Sequence, residues 1–555
     1  MHPFSPMTEL ATHEVANQPT PLGDYNAFEA DQPLKEAVAR EAPAWVAEPL
    51  RALGAQVGSA HYHELGFLAN RYPPVLKAFD RYGRRIDEVE YHPAYHELMK
   101  LAIEHDAHSI AWKREGEGGA AAHVAMMYLL TQPEQGFCCP SVMTHAVVPA
   151  LRCQPELAEW WEPRILANRY DPRAVPAADK PGVTFGMAMT EKQGGSDVRA
   201  NTTRALPEGK GGPGEVYRLT GHKWFCSAPM SDAFLTLAQT ESGLSCFLVP
   251  RWRPDGARNA FYIQRLKDKL GNRSNASSEI EYKDTYAVMV GPEGRGVPTI
   301  IEMVQQTRLD AATAPVGMMR LALVEALHHA SQRKAFGARL IEQPLMRNVL
   351  ADLALEVEAG VAMTMRVARA FDEGHRDDDA RDFGRIATAV TKFWTNKRAP
   401  QAIYEAMECL GGSGYVEESV LPRLYREAPV NSIWEGSGNV IGLEILRAMQ
   451  RNPETVPAYL RELEAARGGN RHLDAAIDRL KNELRNQDDV QTRARRVAEL
   501  MALTLQGSLL VRNAPEVVAD AFCATRLGGD GGFVYGALPA DTDVEAILTR
   551  ASLQV

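Results

Sequence analysis

A block of short, alternating runs interrupts an otherwise helical sequence between about residues 181 and 291. Runs such as VYRLTGHKW, AFLTLAQT, LSCFLVP and FYIQRLK are rich in β-branched and aromatic residues, and glycine, proline or aspartate separates them. This spacing is typical of antiparallel strands joined by hairpins. The block therefore predicts a central antiparallel β domain, residues 181–291, in an α+β fold that is mainly α.

The flanking regions complete a plan of consecutive segments. Residues 1–27 are polar and contain several prolines, which predicts an extended N-terminal arm. Apolar residues recur at three- and four-residue steps in residues 28–180 and 292–449, which predicts an N-terminal helical domain and a helical bundle. Residues 450–555 repeat that period and predict a C-terminal helical extension. Several domains are expected because 555 residues exceed what one hydrophobic core accommodates.

Charge and cysteine content narrow the classes of function. The net charge of −10 and the pI near 5.9 argue against a general nucleic-acid binder, whose domains are usually basic. The seven cysteines show neither a disulfide framework nor the spacing of a zinc motif, so reduced thiols, a cytoplasmic location and no metal are expected. No apolar run reaches signal-peptide or membrane-spanning length, which predicts no membrane association.

Two motifs of the β block suit a flat, polar-edged ligand. MAMTEKQGGSD, from Met187 to Asp197, concentrates hydroxyls, glycines and main-chain N–H groups in one stretch. HKWFCS, from His222 to Ser227, offers the indole of Trp224 as an aromatic wall. The alternatives are a strand followed by a polar loop for the first motif, and ordinary β-domain core for the tryptophan.

Two further motifs lie at predicted helix ends. In RKAFG, Arg333 either complements a helix dipole or binds a phosphate while Phe336 stacks on a base. In ECLGGSGY, Gly411 and Gly412 either end a helix or form a ligand loop. Neither motif is specific by itself.

The stretch NSIWEGSGN places a carboxylate, Glu435, between a bulky indole and a glycine-rich run. One interpretation is a turn at a helix boundary, with Ser437 or Asn439 capping the following helix. The other is a base held against a flat ligand, where glycines let the main chain approach closely.

Taken in this order, the motifs resemble those of the acyl-CoA dehydrogenase superfamily of flavoproteins, from about Pro181 to Met449. The resemblance implies FAD, with Thr190 and Ser196 at the flavin and its pyrophosphate, and RKAFG reaching the FAD of a neighbouring subunit. The implied cofactor contacts are Met187, Met189, Thr190, Gly194, Gly195, Ser196, Trp224, Phe225, Cys226, Ser227, Arg333, Phe336, Gly411, Gly412, Trp434, Gly436, Ser437, Gly438 and Asn439.

The resemblance also assigns the chemistry to Glu435, which would remove the α-proton of an acyl-CoA. Trp434 supplies the apolar neighbour that such a base requires. Some relatives carry the base elsewhere, but that position is occupied here by Thr307. Arg308 matches a family arginine near the substrate channel, with an interior salt bridge as the alternative.

Longer stretches, such as LPRLYREAPVNSIWEGSGN, and the C-terminal extension are similar to a family branch implicated in bacterial defence against DNA alkylation. That branch implies a homotetramer, weak activity on short or branched acyl-CoAs, and double-stranded DNA bound through the C-terminal region. The candidate DNA contacts are Arg471, Arg479, Lys481, Arg485, Arg493, Arg495 and Arg496. Interleaved acidic residues leave a salt-bridged helical face as the alternative. A dedicated dehydrogenase without DNA binding, and flavin-dependent detoxification of alkylating agents, also stay open.

Overall fold

The computed structural model of the protein describes residues 6–486 and 488–553. Within those ranges no helix is both long and apolar enough to span a membrane. Contacts divide the chain into two compact units. The β unit comprises residues 64–115 and 133–310, and the bundle unit comprises the segments before, between and after them.

The N-terminal third is mainly helical but also contains a hairpin. Its elements are α1 (Gln32–Glu41), α2 (Ala47–Val57), α3 (Ala60–Arg71), β1 (Val75–Phe79), β2 (Arg85–Glu90), α4 (Pro93–Glu104), α5 (Ile110–Lys113), α6 (Gly119–Leu130), α7 (Cys138–Leu151) and α8 (Pro155–Ile165). The uninterrupted helical pattern expected for residues 28–180 is therefore wrong at β1 and β2. Val75 and Phe79 of β1 are exposed, and Val89 is the only buried apolar residue of the two strands, so the hairpin shows little of the apolar alternation that marks most strands in a sequence.

Contacts also divide the predicted N-terminal helical domain between the two units. Helix α6 packs on α2 within the bundle unit, whereas α4 packs on α7 within the β unit. Helix α6 is buried almost all round, so its sequence shows no apolar stripe that would indicate its neighbours.

The predicted β domain forms one mixed sheet. Its strands are β3 (Phe185–Ala188), β4 (Arg204–Pro207), β5 (Val216–Ser227), β6 (Ala233–Thr240), β7 (Gly243–Pro250), β8 (Phe261–Leu266) and β9 (Ser277–Val290). The order is β3-β6-β4-β5-β9-β7, β8 pairs with β9, and β6 also pairs with β7. Most pairings are antiparallel, as expected, but β3 and β4 each pair with β6 in parallel.

Strand β6 is buried on both faces, which explains its near-continuous apolar run. Leu235 and Leu237 lie in a core with α7 and α8, and Phe234 and Ala238 point into a second core on the opposite face. Successive side chains of a strand alternate between faces, so both faces must be apolar here.

Long helices and a small hairpin follow the sheet. These elements are α9 (Gly296–Gln332), β10 (Lys334–Ala335), β11 (Ala338–Arg339), α10 (Pro344–Glu373), α11 (Asp378–Cys409), α12 (Gly412–Tyr415), α13 (Val420–Asn431) and α14 (Gly438–Arg451). Helices α10 and α11 pack against each other, and α13 and α14 pack on α11. The turn between α13 and α14 carries the WEGSGN motif.

The C-terminal extension packs on the same helices. It contains α15 (Thr455–Glu464), α16 (Arg471–Arg485), α17 (Val490–Asn513), α18 (Glu516–Phe522) and α19 (Val544–Ala551). Arg526 pairs with Asp352 of α10, and Arg550 pairs with Glu358 of α10 at 2.8 Å. The extension is therefore attached to the bundle by ion pairs as well as by apolar packing.

Candidate active site

A buried ion pair anchors the TEKQGGSD loop to strand β5. The side chains of Glu191 and Lys223 are both fully buried, and Lys223 Nζ lies 2.9 Å from Glu191 Oε1. Glu191 also accepts hydrogen bonds from the main-chain N–H groups of Thr202 and Thr203. Although burial opposes ionisation, Lys223 and these donors lower the pKa of Glu191 to about 2. The carboxylate thus stays charged and fixes the loop after β3.

The glycines of this loop are required by its shape. Gly194 has φ of +145°, and a Cβ on Gly195 would lie 2.3 Å from Oγ1 of Thr190. Ser196 and Asp197 are exposed, and Met187 and Met189 are half-buried against the β-unit core. The loop therefore presents its main chain and hydroxyls without side chains in the way.

Residues Trp224 to Ser227 lie beside this loop. The main-chain N–H of Trp224 donates to the carbonyl of Thr190 at 2.8 Å, so the two motifs are neighbours in the β unit. The Trp224 ring is half-buried, and Nζ of Lys267 lies over it, 3.1 Å from the ring centroid. Ser227 Oγ lies 3.3 Å from Oγ of Ser277.

The two residues between Trp224 and Ser227 differ in exposure. Phe225 is exposed, whereas the Cys226 thiol is buried in the core of the β unit. Burial raises the pKa of the Cys226 thiol to about 12. The thiol is therefore inert core, and only the main chain of Cys226 is suited to a ligand.

In the bundle unit, Glu435 occupies a strained backbone position. Its φ is +55°, in the left-handed region that non-glycine residues rarely adopt, and Gly436 follows with φ of +102°. Atom Oε2 of Glu435 is buried. Ser437 precedes α14 at the N-cap position, although its side chain forms no capping bond. The turn thus holds the carboxylate in a defined orientation, rather than serving only to begin a helix.

A buried lysine that the sequence analysis missed supports this turn. Lys392 of α11 donates from Nζ to the carbonyls of Asn431, Trp434 and Gly436 at 3.2, 2.9 and 2.8 Å. Lys392 is only 1% exposed. These carbonyls lie on both sides of Glu435, so one ammonium group fixes the backbone that sets the carboxylate's direction.

The RKAFG motif forms the hairpin of β10 and β11 rather than extending α9. Phe336, with φ of +52°, is fully exposed at its tip. Arg333 Nη1 donates to the carbonyl of Asn17 at 2.6 Å, and Asn17 also bonds the main chain of Lys334. The guanidinium therefore fastens the N-terminal arm, a role that neither sequence interpretation anticipated.

The GGSGY motif follows the end of α11. Gly411 has φ of +58°, and neither Gly411 nor Gly412 has an atom within 4 Å of the position of an added Cβ. A Cβ on Gly414 would instead lie 2.3 Å from the carbonyl oxygen of Met407. The first two glycines thus face open space, and the helix-ending interpretation is compatible with a ligand approaching there.

Two residues of α9 complete the predicted set. Thr307 is buried, and its hydroxyl donates to the carbonyl of Val304 at 3.1 Å. Arg308 is also buried, at 6% exposure. Thr307 offers no carboxylate and its hydroxyl serves the helix itself, which leaves Glu435 as the candidate base.

The residues present fit a bound flavin nucleotide in each unit, taken separately. In the β unit, Gly194 has no atom within 4 Å of the position of an added Cβ, and Gly195 lets the loop main chain approach Thr190 closely. In the bundle unit, Nε1 of Trp434 is buried with no hydrogen-bond partner among the described residues. Such a donor is costly without a partner and suits the polar edge of a ligand.

Comparison with known families defines the class of protein. Residues 17–172 match the adaptive response protein AidB N-terminal domain, residues 186–285 the acyl-CoA dehydrogenase middle domain, and residues 294–450 the acyl-CoA dehydrogenase C-terminal domain. The chain belongs to the acyl-CoA dehydrogenase family. It is therefore an FAD-dependent oxidoreductase, and the predicted family, fold class and cofactor are confirmed.

Individual relatives show which members of the family this chain is similar to. The chain is 45% identical to AidB of Escherichia coli (strain K12) over 527 residues, covering 94% of this chain and 95% of that protein. The structure of Caenorhabditis elegans ACDH-11 in complex with C11-CoA matches with a TM-score of 0.84 and 25% identity, over 99% of this chain and 93% of that one. An acyl-CoA dehydrogenase from Bacillus anthracis, complexed with FAD, shares the fold, with a TM-score of 0.63 and 16% identity over 83% of each chain.

Proposed function

We propose that the protein removes the α- and β-hydrogens of short or branched acyl-CoA thioesters, with Glu435 as the base. The observation that carries this proposal is the strained Glu435 turn, which Lys392 holds through three carbonyls. A non-glycine residue in the left-handed region costs about 1–3 kcal/mol, and such strain is typical of functional positions.

The residues of the turn have separate tasks. The Glu435 carboxylate takes the proton from the α-carbon, and its main-chain N–H donates to the thioester carbonyl, where negative charge develops. Trp434, the preceding residue, has a buried Nε1 and is assigned the role of the apolar neighbour that limits the access of water to the carboxylate. Bound FAD supplies the hydride acceptor for the β-hydrogen.

The indole of Trp434 also affects which acyl groups the site accepts. Tryptophan has a large, rigid side chain, and we propose that this indole narrows the space beside the base. The structure of ACDH-11 in complex with C11-CoA provides an example of a longer acyl group for comparison. We therefore expect butyryl-CoA and isovaleryl-CoA to be better substrates than an eleven-carbon acyl-CoA.

An anaerobic panel of acyl-CoAs tests the substrate class. The FAD-loaded protein is mixed with butyryl-, isovaleryl- and undecanoyl-CoA, and the rate of flavin reduction is followed by absorbance. Faster reduction by the two short thioesters supports the proposal, and faster reduction by undecanoyl-CoA contradicts the chain-length assignment. Reduction by none of them, together with turnover of a small alkylating agent, would favour detoxification instead.

We propose double-stranded DNA binding by α16 as a second function. Arg471, Arg479 and Arg485 are exposed and have no carboxylate partner among the described residues. At 3.6 residues per turn they lie within an arc of about 120° and extend over roughly 20 Å of helix. Such a row suits successive phosphates of a duplex.

The other predicted DNA contacts are occupied within the protein. Lys481 pairs with Glu464, Arg493 and Arg496 both pair with Glu483, and Arg495 donates to Oδ1 of Asn439. The salt-bridged interpretation therefore describes Lys481, Arg493 and Arg496. The proposal is restricted to the three arginines of α16 that have no carboxylate partner.

Salt dependence tests this second function. Three phosphate contacts predict a slope of about −3 in log K against log salt concentration. Replacing Arg471, Arg479 and Arg485 together by glutamate should abolish duplex binding. The control replaces Arg204, Lys210 and Lys283 of the β unit, which are exposed, with the same change of charge. Equal binding by both variants would exclude α16 as the DNA surface.

We further propose a cytoplasmic homotetramer. Large apolar side chains of the bundle unit are exposed on the isolated chain, and they include Phe336, Leu345 and Tyr415 at 102%, 83% and 81%. Exposed apolar groups of this size favour burial against another chain. Light scattering should give four times the chain mass for the wild type, and a smaller assembly for Phe336→Asp with Tyr415→Asp. A monomeric wild type contradicts the proposal.

A further inference from the structure

A cavity in the β unit is lined by an unusual number of cations. It has a volume of about 190 Å³ and lies between the β1–β2 hairpin, the segment before β3 and the β7–β8 connection. Five basic side chains reach its wall, and these are Arg85, Arg173, Lys180, Arg251 and Arg258. None of the predicted flavin or DNA contacts lines it.

Four of these cations are neutralised by neighbouring carboxylates. The pairs are Arg85 with Asp87 at 2.8 Å, Arg173 with Asp171 at 2.5 Å, Lys180 with Asp232 at 2.8 Å and Arg258 with Glu88 at 2.8 Å. Within each pair the positive and negative charges cancel, and the ion pair fixes the position of both side chains in the cavity wall. Ion pairing therefore leaves a single cation of the wall to be explained.

That cation is Arg251, at the end of β7. Its Nη2 donates to the main-chain carbonyl of Asp87 at 3.0 Å, and its guanidinium carbon lies 4.7 Å from the ring centroid of Phe261. No carboxylate forms an ion pair with it among the described residues, and Nη1 is buried without a hydrogen-bond partner there. Burial lowers the pKa of Arg251 to about 10, so the group is still charged at neutral pH.

Asp87 and Asp232 also line the cavity, but their direct ion pairs are with Arg85 and Lys180. A buried guanidinium N–H that has no partner is costly unless an anion completes it. We infer that the cavity binds a compact oxyanion, a carboxylate or phosphate group, with Nη1 of Arg251 as its principal donor. Guanidinium groups bind both kinds of oxyanion through directed N–H bonds. The aromatic walls do not favour a base, because Arg258 already lies over Trp252 and Arg85 over Tyr262.

Calorimetry on the FAD-loaded protein tests the inference, with inorganic phosphate as the probe and chloride at matched ionic strength as the reference. Phosphate should bind saturably, and acetate as a second probe distinguishes a carboxylate preference from a phosphate preference. Arg251→Gln should weaken binding about tenfold or more, since it removes a charged donor. Arg253→Gln is the matched control, because Arg253 pairs with Asp255 and does not line the cavity.

A chemical measurement on the wild type tests the inference even if Arg251→Gln does not fold. Phenylglyoxal labelling of Arg251, followed by peptide mass spectrometry, should be slowed by phosphate and unaffected by chloride. Equal phosphate affinity in Arg251→Gln and wild type, or labelling that phosphate does not slow, overturns the assignment. A chloride effect equal to that of phosphate would reduce the site to non-specific screening and overturn it as well.

Discussion

At the residue scale, one buried ammonium group governs the geometry of the candidate base. Lys392→Met should keep FAD bound but lower kcat about 10- to 100-fold with little change in KM, because three carbonyls around Glu435 lose a charged donor. Steady-state kinetics with the best acyl-CoA of the panel, together with a flavin spectrum, provides the measurement.

The control for this change is Arg385→Met, which removes an exposed cation from the same helix α11. Its kcat should match the wild type. A Lys392→Met enzyme with unchanged kcat would show that the turn keeps its geometry without the lysine.

The two partners of this arrangement differ in how far sequence predicts them. Glu435 was predictable because WEGSGN is contiguous and its glycines indicate a tight turn. Lys392 was not, because its role depends on how α11 packs beneath the end of α13. In the sequence VTKFWTN this lysine looks like any polar position of a helix. Only its burial in the structure distinguishes it from a surface lysine.

At the scale of elements, the ion pair of Glu191 and Lys223 joins the loop after β3 to strand β5. Glu191→Gln should destabilise the protein by about 3–5 kcal/mol, because it leaves a buried ammonium group unpaired. Arg253→Gln, which breaks an exposed pair, should cost less than about 1 kcal/mol. Urea unfolding at pH 7 measures both losses, and similar values would show that the buried pair contributes no more to stability than the exposed one.

The same pair predicts a dependence on acid. Since the folded-state pKa of Glu191 is lowered from 4.5 to about 2, its contribution to stability is complete above pH 4.5 and is lost as the pH falls toward 2. The difference in unfolding free energy between wild type and Glu191→Gln should therefore shrink over that window. A difference in unfolding free energy that does not change with pH would show that packing, rather than the charge of Glu191, stabilises the protein here.

Elements also show where sequence patterns lose information. Strands β6 and β7 were predictable as apolar runs, but their pairing was not, since the parallel partner β3 lies far away in the chain. The TEKQGGSD motif predicts a polar ligand loop, yet Glu191 within it is fully buried. Its partner Lys223 lies next to Trp224 in a motif whose two interpretations, a ligand wall and ordinary β-domain core, concern the tryptophan and do not predict the ion pair.

At the scale of the whole molecule, the C-terminal extension depends on its buried ion pairs with α10. Arg526→Met should lower the free energy of unfolding by about 3–5 kcal/mol, because Asp352 and Glu356 lose a buried partner. Arg347→Met is the control, since its partner Glu545 is 69% exposed. Limited proteolysis should release the extension faster only in Arg526→Met, and equal cleavage of both variants would show that apolar packing alone retains it.

An anaerobic absorbance titration with isovaleryl-CoA tests directly whether Glu435 is the base of an acyl-CoA dehydrogenase site. The wild type, loaded with FAD, should lose its flavin absorbance on addition of the thioester. Glu435→Gln should bind FAD with the same spectrum yet stay oxidised, because an amide cannot accept the α-proton. Bleaching of Glu435→Gln at the wild-type rate would show that another group removes the α-proton.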